Sequence, residues 1–172
     1  MDLYVIKLDE ILWGGLLVAI TMAIHGTGMF SILRLADAIK ERYDPLESFA
    51  GGLGLVIIAS LLIVLTNIIE VMVWTVFFFL KGAQTNHHRA FYNAMLNYTT
   101  LQASYLPDRW HLLEPLLGMA GLLTVAWSTG ILYMLAQDFQ DTQLRKRKRK
   151  REQPGATAPK RHRDASAEIA EG

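Results

Sequence analysis

The chain has 172 residues, 52% of them hydrophobic, and a formal net charge of +1. Long apolar runs occupy so much of that length that the sequence reads as one membrane domain with a tail, and a set of water-soluble domains is excluded. Cysteine is absent, which excludes disulfides, zinc-thiolate sites, iron–sulfur clusters and thiol catalysis. The small net charge conceals an asymmetry: residues 1 to 144 carry 7 Lys/Arg against 12 Asp/Glu, whereas residues 145 to 172 carry 10 against 4.

From Ile11 to Leu33 there are 23 residues without an acid, Lys or Arg. At 1.5 Å per residue this covers a hydrocarbon core of about 30 Å, which predicts the first spanning helix, over about 11–34. Asp2, Asp9 and Glu10 against Lys7 have the wrong sign for a secretory signal, so this run is expected to stay attached. His25 is its one ionisable residue. Leu35 to Ala50 is polar and contains Pro45, and reads as a surface connection that begins as a helical extension. The second spanning helix is predicted over 53–80, a 28-residue run with a single charge, Glu70, and therefore tilted or protruding.

Lys81 to His111 is too polar to face lipid, yet it contains the stretch AFYNAMLNYTTL, residues 90–101. Twelve helical residues reach about 18 Å, half a membrane. Two placements suit it: a re-entrant half-helix and loop surrounded by protein or a water-filled cavity, or an amphipathic helix lying on the outer surface. Leu112 to Ala136 is the third predicted crossing, with Glu114 and Pro115 in its first turn, where both are tolerated. The tail, 139–172, opens with seven consecutive bases, Arg145 to Arg151, then turns Pro/Ala/Glu-rich in the manner of a disordered segment. The heptad suits nucleic acid as well as anionic headgroups; directly after a spanning helix, orientation and attraction to lipid explain it with less, and no nucleic acid is called for. The fold class expected is thus an all-α membrane protein of three transmembrane helices, with a re-entrant half-helix and loop between the second and third.

Three crossings put the tail and the 34–52 connection on one side, with 13 Lys/Arg against 4 on the other. That side is expected to be cytoplasmic, leaving the N-terminus outside. Glu70 then lies about 15 Å below the outer face, at nearly the depth that Thr99 and Thr100 reach on a descending half-helix. It is read either as a group bracing the floor of the loop, with hydroxyls or backbone N–H groups as partners, or as a protonated, hydrogen-bonded acid with a structural role. Asn67 and Trp74 share its helical face. His25, counted about 12 Å above the inner end of its helix against about 25 Å for Glu70, is not expected to meet it. Beside Gly26 and Gly28, it reads as a packing histidine at a close helix contact. His87 and His88 lack further ligands at metal-binding spacing and read as solvated. Trp13, Trp74, Trp110 and Tyr105 are placed in interfacial belts.

Taken in order, AIHGTGMFSILR, NIIEVMVW, AFYNAMLNYTTL, LPDRWHLLEPLLGMAG and AWSTGILYMLAQ resemble the pore module of the potassium-channel superfamily. More narrowly, they resemble small bacterial ion-channel proteins of the two-transmembrane pore-domain family that carry an extra N-terminal helix. The resemblance spans about His25 to Gln137. It implies a bacterial cytoplasmic (inner) membrane location, a homo-oligomer, by resemblance a tetramer, inorganic ions as cargo, and a pore between the second and third helices. Thr99, Thr100, Leu101, Gln102, Ala103, Ser104 and Tyr105 would form the pore or filter, supported by Glu70, Asn67 and Trp74.

The departure falls where family members place a Gly-Tyr-Gly-Asp type filter. A potassium filter aims successive carbonyls at the ion using conformations glycine adopts freely, and a residue with a side chain there costs about 1 to 2 kcal/mol. No glycine lies between Thr99 and Pro107, so potassium selectivity is not expected. A pathway lined by side chains such as Gln102 and Ser104 and a non-conducting subunit or sensor that recruits a partner both remain open. An enzyme is not expected, because His25, Glu70, His87 and His88 are too scattered in depth to form a catalytic set, and no cofactor or metal is called for.

Overall fold

The computed structural model describes residues 7–43, 48–101 and 104–152. Among these the chain is all-helical: α1 is Leu8–Tyr43, α2 Phe49–Leu80, α3 His87–Tyr98 and α4 Leu113–Glu152, with a short 3₁₀ turn at Asp108–Trp110 before α4. Three helices, α1, α2 and the one that includes α4, are long and apolar enough to cross a membrane. Exposed apolar side chains such as Ile57, Leu61, Val64, Leu65, Ile68 and Met72 crowd the outside of α2. That surface suits a hydrocarbon solvent and not water.

Local chemistry sets the helix ends. α1 begins with Asp9 and Glu10 and finishes with Lys40 and Arg42, each sign matched to the dipole at its end. Ser48 caps α2 by accepting the Gly51 N–H at 2.9 Å. Gly82 closes it, at φ 66°, where a side chain would be strained. Asn86 caps α3, its side-chain oxygen accepting from His88 and Arg89. At the other end Thr100 takes φ 63° while Leu101 N–H returns to the Leu96 carbonyl and Thr100 N–H to Asn97. A β-branched residue thus occupies the left-handed position that normally goes to glycine in such a cap.

α2 and α4 pack on each other, and both contact α1 and α3. α3 runs antiparallel to α2: His87 at its start stacks on Phe79 at 3.8 Å, and Tyr98 at its end reaches Glu70. Gly121 of α4 makes the close approach possible, because a Cβ there would run into the Tyr98 backbone carbonyl. Two apolar clusters result. One contains Val71, Trp74, Phe78, Tyr98, Leu113 and Leu117, the other Met29, Ile32, Leu55, Ile63, Ile131 and Leu135. Between them lies a polar layer.

Several sequence expectations change. α1 runs nine residues past Arg34, to Tyr43, because LADAIKERY keeps helical periodicity, with Ala36 buried in the cluster that also holds Leu55 and Leu135. α4 likewise continues past Ala136 to Glu152, so residues 139–152, expected within a disordered tail, are helical through the basic run. Residues 153–172 lie outside the described residues. The short helix expected over 90–101 begins at His87 and ends at Tyr98, three residues earlier at each end. Trp74 and Trp110, expected in interfacial belts, are 0% and 5% exposed; Trp74 donates its indole N–H to Thr21 at 2.9 Å and Trp110 packs edge-on to Phe77.

Candidate functional site

The polar layer is a chain of side chains drawn from all four helices. His25 Nδ1 on α1 lies 2.8 Å from Glu70 Oε1 on α2. The Glu70 Oε2 lies 2.5 Å from the Tyr98 hydroxyl on α3, which in turn lies 2.6 Å from Thr124 Oγ1 on α4. One turn further along α4, Ser128 Oγ is 3.2 Å from His25 Nε2, and so returns the chain to its start. His25, Glu70 and Thr124 are fully buried, and Tyr98 and Ser128 are 5% exposed. A buried polar group without a partner costs several kcal/mol in an apolar setting, on the order of 2–7, and this arrangement leaves none of the five without one.

The His25 to Glu70 contact overturns the expectation that these residues stand at different depths. That expectation ended the first helix at Arg34. Counted from Tyr43, His25 is about 27 Å along α1, and counted from Phe49, Glu70 is about 31 Å along α2, so the two are level. The expected hydroxyl partners of Glu70 also change. Thr99 turns its Oγ1 back to the Met95 and Leu96 carbonyls at 2.9 and 3.1 Å, and Tyr98 reaches the acid instead. Asn67 stands 3.4 Å from the same hydroxyl. Trp74 supports the layer one turn away, through Thr21.

The segment after α3 forms the second part of the site. Thr100 and Ser104 line a groove of about 540 Å³ together with Asn97, His111, Glu114 and Gly118. Leu101 and Tyr105 are exposed, at 70% and 51%. Gln102 and Ala103, both singled out as pore-lining, lie outside the described residues. The loop is tied down from two directions. Glu114 Oε1 accepts the N–H groups of Tyr105 and Leu106 at 2.9 and 2.8 Å, and Gln84 donates to the Tyr105 carbonyl at 2.9 Å.

Tyr98, Thr124 and Ser128 were not among the residues singled out from sequence, nor was Glu114 assigned a role. Two signals were present. Thr124 and Ser128 form an i, i+4 polar pair within the apolar part of α4, and Tyr98 lies four residues after Ala94 and eight after Ala90, on the buried face of α3. Compared with known proteins, the chain matches no protein-family model, no curated protein and no solved structure.

Proposed function

We propose that this chain is a channel-like integral membrane protein whose copies assemble around a common axis, with ions passing between the second and third spanning helices. The observation that carries the reading is the course of α3, which starts beside Phe79 near the end of α2 and finishes beside Glu70. Glu70 is ten residues, about 15 Å, back from Leu80, so on a membrane-spanning α2 the short helix would stop near mid-depth and the chain would have to return. Such a re-entrant segment is tolerated where protein or water surrounds it. The negative end of its helix dipole would favour cations at that depth.

The groove between Thr100, Ser104 and α4 is open on the single chain. A second copy facing it would enclose it, with Asn97, Thr100, Ser104 and Glu114 as the polar part of the wall of an aqueous path. The left-handed Thr100 supports a path of side chains rather than a ladder of carbonyls, because one strained residue is tolerated and a run of them is not. Such a pore is not potassium-selective. The basic run after the third crossing faces the cytoplasm in this reading, its charges near anionic headgroups. The N-terminus lies outside.

A second reading, a non-conducting subunit or sensor, is favoured by one observation: beyond Phe139, whose ring meets that of Phe49 at a tilt, α4 continues to Glu152 with charged side chains such as Arg147 and Lys148 exposed. Flux separates the two. Purified protein in liposomes is expected to leak monovalent cations, and Ser104→Trp to reduce the leak at least tenfold. Tight liposomes, or a strictly monomeric protein in detergent, would remove conduction and leave the second reading.

A further inference from the structure

The polar layer carries an assignment that does not depend on whether ions pass. Its hydrogens can be counted. Thr124 Oγ1 lies 2.9 Å from the Gly121 carbonyl, and a carbonyl only accepts, so the single hydroxyl hydrogen of Thr124 goes there. The 2.6 Å contact between Thr124 and Tyr98 must then be made with the phenol hydrogen. A Tyr98 hydroxyl that donated to Glu70 Oε2 would leave its contact with Thr124 without a hydrogen, so in this count the 2.5 Å contact takes its hydrogen from the acid. Oε1 remains an acceptor, and His25 Nδ1 supplies its hydrogen at 2.8 Å. Ser128 completes the chain by donating to His25 Nε2.

We infer that Glu70 is a proton-binding site, holding one proton on Oε2 at the centre of a one-way chain of hydrogen bonds that runs from Ser128 through His25, Glu70, Tyr98 and Thr124 to the Gly121 carbonyl. In this arrangement all five contacts pair a donor with an acceptor and no residue of the layer carries a charge. The alternative, a Glu70 carboxylate beside a His25 imidazolium, takes the Tyr98 hydrogen for Glu70, turns Thr124 toward Tyr98 and gives up the hydroxyl bond to the Gly121 carbonyl, which keeps its helical N–H. It also separates charge in a fully buried place. The titratable groups that face Glu70 are His25 on α1 and Tyr98 on α3, while α4 presents the hydroxyl chain through Thr124 and α2 itself contributes Asn67. Asn67 Oδ1 stands 3.4 Å from the phenol against 2.6 Å for Thr124, so the phenol hydrogen goes to the nearer acceptor, and an amide turned over would offer its nitrogen to the remaining lone pair of the phenol.

The site therefore links a proton to the seating of α3, because Tyr98 is the last residue of that helix and its hydroxyl is held jointly by Glu70 and Thr124. Glutamine is the side chain that mimics the protonated acid: its N–H would serve Tyr98 and its carbonyl would serve His25.

Infrared difference spectra of the full chain in lipid nanodiscs at neutral pH, wild type minus Glu70→Gln, test this directly, with the remaining acids, buried Glu10 included, cancelling between the two. A protonated carboxylic acid C=O band present in wild type and absent from Glu70→Gln is expected, together with an unchanged thermal midpoint for the variant. A difference spectrum with carboxylate bands only, or with no carboxyl change, overturns the assignment. So does failure of Glu70→Gln to fold, since the amide would then not replace the acid. Absence of ion flux leaves the assignment standing, and loss of the acid band leaves the channel reading standing.

Discussion

The hydroxyl of Tyr98, at the end of α3, sits within 2.6 Å of both Glu70 on α2 and Thr124 on α4. One oxygen thereby fastens the short helix to two long ones. Tyr98→Phe removes it and leaves Glu70 and Thr124 each short of a buried partner, a cost of about 1–3 kcal/mol. Thermal unfolding of the detergent-solubilised protein, followed by circular dichroism, should show a lowered midpoint. Tyr92→Phe serves as the control, because Tyr92 is 60% exposed and should change nothing. Thr124→Val is expected to add little once Tyr98 is already Phe, because the two substitutions break the same contact.

The close seating of α3 on α4 predicts a severe effect at a position with no side chain. A Cβ at Gly121 would collide with the Tyr98 carbonyl, which belongs to backbone and cannot swing aside. Gly121→Ala should therefore push the end of α3 away, break the Tyr98 contacts, and cost about 1–3 kcal/mol or more. At Gly130 the same substitution meets open space and should be neutral or stabilising by up to about 1 kcal/mol, as alanine favours a helix. Comparing the thermal midpoints of the two variants separates the collision from any general effect of alanine.

Glu114 holds the loop after α3 through two backbone N–H groups. Glu114→Ala should release it, and Glu114→Gln, whose carbonyl oxygen still accepts, should keep most of its order. Hydrogen exchange at Tyr105 and Leu106 is the measurement. Faster exchange by about tenfold is expected for the alanine variant, matching the loss of a hydrogen bond worth about 1.4 kcal/mol. Exchange in the segment Ile57 to Ile69 of α2 should stay unchanged.

Three apolar runs, their order and a short polar-aromatic helix between the last two were legible in the residues, because a spanning helix needs only length and the absence of charge. Individual polar residues told less. Glu70 stood out through the cost of placing a charge among apolar neighbours, but nothing in one dimension says which residue 28 or 45 positions away will answer it. His25 and Glu70 were separated on paper by ending α1 at its first arginine, when the helix in fact runs on to Tyr43 and brings them level. Tyr98 is one of three aromatics between residues 90 and 101, and its partner follows only from the closing of α3 on α4 at Gly121. Composition and period fix helices because those are sums over many neighbouring residues. Which hydroxyl meets which carboxyl depends on helix length and closest approach, and one residue's error in either moves a polar atom by 1.5 Å along the axis, enough to make or break a hydrogen bond.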